Sequence, residues 1–565
     1  MYLTLQTKHL LSDSALQTLI DNLLDISNAS NSLIASKIVE LGLNIPQNFF
    51  QDNNFFQRFH NNSNGKMRTS FCRKKYFKEN FNYIEPVCMY FESDNDKKGP
   101  KMYYVPIHET IRGLMKNSFV YKHWENNTNC LNANDNILSD ITDGKNYKNS
   151  QFFKENPLAL RIILYQDSFE LCNPLGSSKK IHKVIGIYMI LANIPAYSRC
   201  RVDHIQLVGL CLERDCKKYG FSECFKLIMN DLHTLETEGI TLNDKTKKIK
   251  GTVVAMAGDN LGNHQIGGYI ENFSNNEYFC RYCHITKTDF DNNKFHGFPL
   301  RTESSYQDDV DLCNVTGKPS RGIHDNSVLN RLNYFHVCTP GLPPCAAHDL
   351  FEGVVQYDVM IMVEYFVAKK VFSYDFINTR LQNVRFINES DISLSQIAYL
   401  RYLLIDYVEL RNCFRKDFVY SAQLYLFIRF GPLRQLWTLR FESKHRYFKN
   451  IVRHSPNFKN ILFTLSERHQ LLQAMLLSHD STFTDSVTCD TVTVFKSSDY
   501  PNNMSKIVEQ QCIFNEPFIS ESAIFRGVRY QKGMFVCYGQ NDNGYFCLCE
   551  IMYLLIRCSI YDTNT

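Results

Sequence analysis

Two aspartates follow short apolar runs of the kind that form buried strands. Asp167 comes after residues 160–165, and Asp259 comes after residues 253–257. A continuous apolar run of this length is typical of a strand covered on both faces of a sheet. Carboxylates at the ends of central strands are well placed to hold Mg²⁺, which prefers oxygen ligands. A single aspartate in this position is usually a turn or capping residue, so it is the pair that indicates metal chemistry.

A third carboxylate, Glu442, lies in a basic stretch at residues 431–460. Apolar and aromatic residues recur there at helical spacing, which predicts a helix packed on one face and basic on another. Glu442 is then either a structural ion-pair partner or a metal ligand within a surface that attracts phosphates. Glu352, which follows Asp349 by three residues on a predicted helix, is the alternative third ligand. The cations predicted to contact phosphate are Lys444, Arg446, Lys449 and Arg453.

Cys280 and Cys283 form a Cys-x-x-Cys pair, which is half of a structural zinc site. Zinc takes four ligands in tetrahedral geometry, so two more are required. His336 and His348 are the predicted completing ligands, and the other candidates are His284, Cys338 and Cys345. A closed shell of four protein ligands predicts a structural zinc, because it leaves no position for substrate.

The chain has 565 residues, of which 44% are hydrophobic and 21% charged, a composition typical of a multidomain globular protein. Its net charge is only +4, so affinity for nucleic acid must come from local patches. The N-terminus lacks the apolar core of a signal peptide. We therefore expect an intracellular protein whose 20 cysteines are mostly reduced.

Changes in pattern along the chain predict an α/β protein with five segments. We expect a helical and loop-rich N-terminal region, a core of strands and helices that carries the Cys-x-x-Cys pair, a mainly helical insertion, a basic helix that completes the core, and a small C-terminal β domain. The corresponding residues are 1–155, 156–300, 301–430, 431–485 and 486–565. Within the core, residues 213–239 read as one amphipathic helix ending at glycine.

Several segments together resemble the cut-and-paste DDE transposases of the CACTA/En-Spm-like group. They are LYQDSFELCNPLGS, the strand ending in Gly-Asp-Asn followed by Cys-x-x-Cys, PPCAAHDLFEGV, and WTLRFESKHRYFK. The resemblance implies a ribonuclease H-like core with a helical insertion, in which Asp167, Asp259 and Glu442 match the catalytic carboxylates. Glu442 is followed by Ser-Lys-His where the group has arginine, so Glu352 stays open as the alternative.

The resemblance also implies a function: cleavage and transfer of DNA strands with Mg²⁺ or Mn²⁺ bound by the three carboxylates. The implied partners are transposon ends and target DNA, with homo-oligomers, and the implied location is the nucleus. A domesticated or decayed transposon-derived protein that binds DNA without cutting it is the alternative. A third hypothesis is an unrelated scaffold stabilised by zinc.

Overall fold

The computed structural model describes most of the chain up to residue 370 and much of the region from 429 onward. The described residues are 1–43, 60, 65–91, 99–126, 137–138, 140–172, 182–199, 201–242, 248–272, 275–292, 297–370, 373–375, 378, 386–387, 392–393, 429–454, 458–478, 488–489, 492–499, 506, 518–525, 528–540, 546–552 and 554–556. Most of the second half of the predicted helical insertion lies outside them.

The described strands alternate with helices in the first half of the chain and dominate its end. In chain order the strands are β1 (Val87–Tyr90), β2 (Lys101–Tyr104), β3 (Ile137–Leu138), β4 (Leu160–Glu170), β5 (Lys183–Leu191), β6 (Gln206–Leu212), β7 (Ile240–Thr241), β8 (Lys248–Ile249), β9 (Gly251–Ala257), β10 (Phe386–Ile387), β11 (Ile392–Ser393), β12 (Thr488–Cys489), β13 (Val492–Val494), β14 (Phe518–Ser520), β15 (Ser522–Phe525), β16 (Val528–Gln531), β17 (Phe535–Gln540), β18 (Phe546–Glu550) and β19 (Leu554–Ile556).

The described α-helices are mostly short, and three of them carry or position the candidate site residues. In chain order they are α1 (Tyr2–Thr7), α2 (Asp13–Glu40), α3 (Ser70–Asn80), α4 (Ile107–Met115), α5 (Ser118–Asn126), α6 (Lys145–Asn149), α7 (Gln151–Glu155), α8 (Ala196–Arg199), α9 (Glu213–Cys224), α10 (Lys226–Thr237), α11 (Asn260–Ile266), α12 (Lys287–Asp291), α13 (Glu303–Thr316), α14 (Gln356–Ala368), α15 (Leu439–His454) and α16 (Ile461–Leu477). A π-helix, Ala346–Val355, leads directly into α14.

A six-stranded mixed sheet organises the described residues, in the order β1-β2-β6-β5-β4-β9. Every neighbouring pair is antiparallel except β4 and β9, which run parallel. The protein is thus a mixed α/β protein, as predicted. Strand β4 pairs with β9 up to Tyr165 and continues along β5 to Glu170. Asp167 therefore lies within a strand that extends past the end of its parallel neighbour, and not after the strand as the sequence suggested.

Side chains of β4 alternate between two hydrophobic cores on opposite faces of the sheet. Ile162 and Leu164 enter one core, with residues of α4, α5 and α10. Ile163 and Tyr165 enter the other, with residues of α15 and α16. This confirms the prediction that the apolar run is buried on both faces, because helices cover the sheet on each side. The result is a three-layer arrangement of helices, sheet and helices.

Two predictions about these segments are wrong in detail. The N-terminal region is not only helices and loops, since it supplies β1 and β2, and β2 pairs with β6. The helix predicted over residues 213–239 is divided into α9 and α10. Inside α9, Gly220 has φ 82° and ψ 163°, a backbone conformation that essentially only glycine adopts. The amphipathic pattern survives this break because each piece packs its own apolar face.

Strands near the C-terminus form two small three-stranded sheets, β12-β15-β16 and β13-β14-β19, and a third, β10-β17-β18, includes β10 from the middle of the chain. Strands β17 and β18 pair antiparallel, with Gln540 opposite Phe546, as the Asn543-Gly544 turn signal between them predicts. The turn residues lie outside the described part of the chain. Among the described helices, none is both long and apolar enough to cross a membrane.

Candidate active site

Asp167 is held on the face of β4 that α15 covers. Because strand side chains alternate, Tyr165, Asp167 and Phe169 point to the same face. The Tyr165 ring stacks on Phe441 of α15, with centroids 4.3 Å apart and planes at 11°. The Phe169 ring stacks on His445 of the same helix at 4.2 Å and 16°. The two stacks fix the position of α15 over Asp167, which lies between them in sequence.

The Asp167 carboxylate has specific donors of its own. Its Oδ1 accepts a hydrogen bond from the Ser168 backbone N–H at 2.6 Å, and its Oδ2 accepts one from the Tyr165 hydroxyl at 3.1 Å. His445 Nδ1 lies 3.9 Å from Oδ2. Burial lowers the pKa of His445 to about 3, so at neutral pH this imidazole is uncharged and does not neutralise Asp167.

Asp259 is the N-cap of α11, which begins where β9 ends. Its Oδ1 accepts a hydrogen bond from the Gly262 backbone N–H at 2.6 Å. The capping role expected of an aspartate after a strand is therefore present. Capping uses one of the two carboxylate oxygens, so it is compatible with metal binding through the other.

Glu442 projects from the first turn of α15, directly after the stacked Phe441. Its Oε1 accepts a hydrogen bond from the Thr438 hydroxyl at 2.9 Å and lies 3.4 Å from His348 Nε2. The Thr438 hydroxyl is also 2.9 Å from His348 Nδ1. Glu352, the alternative third carboxylate, lies 3.7 Å from His348 Nε2 and is 60% exposed.

Electrostatic effects link the three predicted carboxylates. Burial, followed by the charges of Asp259 and Glu442, raises the pKa of Asp167 to about 6, against hydrogen bonds from Ser168 and Tyr165 that lower it. The charges of both other carboxylates therefore act on Asp167. Glu442, rather than Glu352, is thus the glutamate whose charge acts on Asp167.

Arg281, between the two cysteines of the Cys-x-x-Cys pair, ties that segment to the carboxylates. Its Nη1 donates to Asn260 Oδ1 at the start of α11. Its Nη2 lies 3.9 Å from Asp349 Oδ2. Burial raises the pKa of Asp349, and the charge of Asp259 contributes to the same increase. Arg281 therefore connects the beginning of α11 with the beginning of the π-helix.

The four predicted zinc ligands are not gathered into one shell among the described residues. The Cys280 and Cys283 sulfurs are 3.6 Å apart. His336 Nδ1 instead accepts a hydrogen bond from the Cys338 backbone N–H at 3.0 Å, and His348 contacts Glu442 and Thr438. The one group of at least three metal-binding atoms within 4.8 Å of one another in the described part of the chain is elsewhere.

That group is Cys211, Cys216 and Cys224, all buried. Hydrogen bonds from Cys211 and Cys224 lower the pKa of the Cys216 thiol to about 5. Three thiols in contact could hold a metal ion. Sequence reasoning missed them because their spacing matches no common zinc motif, and one of them lies on a strand.

The basic face of α15 is smaller than the sequence suggested. Arg446 and Arg453 are exposed, and Lys449 is half-buried. Lys444 is 1% exposed, and its ammonium donates to the Val202 carbonyl oxygen at 3.2 Å. The predicted phosphate contact is corrected for Lys444, because its charge is turned into the protein.

No protein-family model and no curated protein matches the chain. The site is therefore interpreted from its own geometry. Tyr165 and Thr438, which sequence reasoning missed, belong to it as hydrogen-bond donors to the carboxylates. Strand alternation could have indicated Tyr165, two residues from Asp167, whereas Thr438 is recognisable only once α15 is in place.

Proposed function

We propose that this protein is a DDE-type polynucleotidyl transferase, which cleaves and joins DNA strands as cut-and-paste transposases do. One observation carries the proposal: the charges of Asp259 and Glu442, from two other elements, add to burial in raising the pKa of Asp167 on β4. A cluster of carboxylates that is poorly compensated by protein cations is suited to binding divalent metal ions.

The order of the central strands supports the same proposal. Strands β4, β5 and β6 form an antiparallel meander, and β9 returns parallel to β4 on its other side. A ribonuclease H-like core, which the resemblance to CACTA-type transposases implies, has this arrangement at its centre. The first aspartate would then lie on the first strand of the core, the second after the returning strand, and the glutamate on the late helix.

Donor chemistry fits Mg²⁺ or Mn²⁺, because all three side chains offer oxygen. Their oxygens do not all lie within 4.8 Å of one another in the structure, which suits two ions about 4 Å apart better than one enclosed ion. When bound, two such ions supply an activated attacking oxygen and a stabilised leaving oxygen at phosphorus.

The protein's own groups would hold these carboxylates in place. Tyr165 and the Ser168 N–H orient Asp167, the α11 terminus orients Asp259, and Thr438 orients Glu442. Arg446, Lys449 and Arg453 would bind backbone phosphates without regard to sequence. We place the protein in the nucleus by the same resemblance.

Asp259→Asn tests the catalytic assignment while preserving the helix cap, since Asn caps about as well as Asp. The assay is nicking of supercoiled plasmid DNA by the purified full chain in Mg²⁺ or Mn²⁺. We expect the variant to lose about a hundredfold or more in rate, because the charge that holds a metal ion contributes several kcal/mol. Asp308→Asn, at an exposed position of α13, is the matched control and should nick normally.

Undiminished nicking by Asp259→Asn would contradict the assignment. A wild-type chain that binds the plasmid but leaves it intact in both metals would favour the alternative, a transposon-derived protein that binds DNA without catalysis.

A further inference from the structure

We propose that Cys211, Cys216 and Cys224 form a structural Zn²⁺ site that closes the break in α9 against the end of β6. This site uses different residues from the Cys-x-x-Cys pair and from the carboxylates. Cys211 is the next-to-last residue of β6, Cys216 is in the first turns of α9, and Cys224 is its last residue.

The backbone brings these thiols closer together than an unbroken helix would. In an unbroken helix, Cys216 and Cys224 would be about 12 Å apart along the axis, at about 1.5 Å per residue. The non-helical Gly220 interrupts α9 between them, and the sulfurs lie within 4.8 Å of each other and of Cys211. A Cβ at Gly220 would meet no atom within 4 Å, so packing does not require glycine there. The φ of 82° is what requires glycine, and this non-helical turn of the backbone allows Cys216 and Cys224 to come together.

Burial gives the cluster the character of a ligand shell. The exposed fractions of Cys211, Cys216 and Cys224 are 0%, 2% and 1%. All three belong to the hydrophobic core that also contains Phe225 of the same bend. Three sulfurs that are shielded from water are suitable ligands for a metal ion that prefers sulfur. Zn–S bonds of about 2.3 Å place the sulfurs around one zinc roughly as close together as these three are.

Three sulfurs leave the fourth position of a tetrahedral zinc to a ligand from outside the group. Asp215, which precedes Cys216, does not belong to the group of ligand atoms within 4.8 Å of one another, and Arg214 Nε lies 3.6 Å from its Oδ1. The three thiolates are therefore the ligands that we propose, and zinc is the ion because thiolate-rich ligand sets are those of structural zinc sites.

The first experiment uses the unaltered full chain, purified with zinc and a thiol reductant. Cysteines are alkylated with and without a strong zinc chelator, and each labelled residue is identified by mass spectrometry. We expect the chelator to increase labelling of Cys211, Cys216 and Cys224 together. Cys313, which is also buried, in α13, is the internal control, and the chelator should not change its labelling.

The second experiment measures zinc per chain in Cys216→Ser and in the control Cys313→Ser. Cys216→Ser should hold about one zinc fewer than the wild type, and Cys313→Ser should hold as much zinc as the wild type. The proposal is overturned if the chelator leaves labelling of the three cysteines unchanged, if Cys216→Ser keeps the wild-type zinc content, or if Cys216 and Cys224 are joined by a disulfide in the reduced preparation.

Discussion

At the scale of single residues, burial of the Asp167 carboxylate lowers the stability of the folded protein near neutral pH. Asp167 has a folded-state pKa of about 6, above the value of about 3.9 for an unfolded chain. The folded state therefore binds this proton more tightly. Its stabilising effect is complete below about pH 4 and is lost as pH rises toward 6. Near neutral pH, Asp167 is a charged group that the folded protein holds at a cost.

Asp167→Asn should for this reason stabilise the protein at pH 8. A shift of two pKa units corresponds to about 3 kcal/mol, and because the side chain is 27% exposed we expect a gain of roughly 1–3 kcal/mol in the free energy of unfolding. Urea denaturation at pH 8 measures it. The gain should disappear at about pH 3 and below, where Asp167 is protonated in both states.

Mg²⁺ provides the internal check on this result. If Mg²⁺ binds the folded carboxylates as proposed, it should stabilise the wild type and leave Asp167→Asn nearly unchanged. A variant that is less stable than the wild type at pH 8, or equally stabilised by Mg²⁺, would show that Asp167 has an ordinary structural role.

At the scale of elements, α15 packs on the sheet through two phenylalanines, and Glu442 directly follows the first of them. Phe441 and Phe448 are both fully buried on the face that meets β4 and β5. Phe441 is adjacent to Glu442 and stacks on Tyr165, whereas Phe448 contacts Phe169 and Tyr188 two turns further along. The two rings are thus similar in burial and different in their distance from the site.

Phe441→Ala and Phe448→Ala should each lower the free energy of unfolding by roughly 3–5 kcal/mol, the usual cost of truncating a buried phenylalanine. Only Phe441→Ala should also weaken the stabilisation by Mg²⁺, because it frees the turn that carries Glu442. Denaturation with and without Mg²⁺ separates the two effects. Equal weakening in both variants would mean that Glu442 is not positioned by the Tyr165 stack.

At the scale of the whole molecule, the central sheet draws on distant parts of the chain. Strands β1 and β2 come from the N-terminal region and extend the sheet beyond β6. The net charge of +4 is small for a chain of this length, so in the proposed DNA-binding role most of the attraction would come from the exposed cations of α15.

Reversing the charges of Arg446, Lys449 and Arg453 to Glu should therefore weaken binding to duplex DNA. The slope of log affinity against log salt should fall by roughly 2 to 3, at about 0.9 per lost phosphate contact. Fluorescence anisotropy with a labelled duplex measures it. The control is a second triple variant, in which Lys217, Lys226 and Lys248 are replaced by Glu, so that the net charge changes by the same amount. These lysines are on other elements and are 64%, 61% and 55% exposed. A similar loss in both triple variants would indicate that α15 is not the DNA-binding surface.

Some features of this protein follow from the sequence by itself. Three elements were predictable: the strand before Asp167, the strand before Asp259 and the helix around Glu442. Buried strands and amphipathic helices can be recognised from the local spacing of apolar residues. Even the cap at Asp259 is a local effect. The break of α9 at Gly220 was not predicted, since a glycine within an amphipathic pattern does not by itself reveal a positive φ.

Other features were decided only by the tertiary structure. Thr438 and His348 meet across 90 residues of sequence, Lys444 turns inward to Val202, and the cysteines on β6 and α9 converge. None of these follows from periodicity, because each depends on which face of one element packs against which face of another. Local sequence thus placed the three carboxylates on their elements, and packing around β4 decided that the charges of Asp259 and Glu442 act on Asp167.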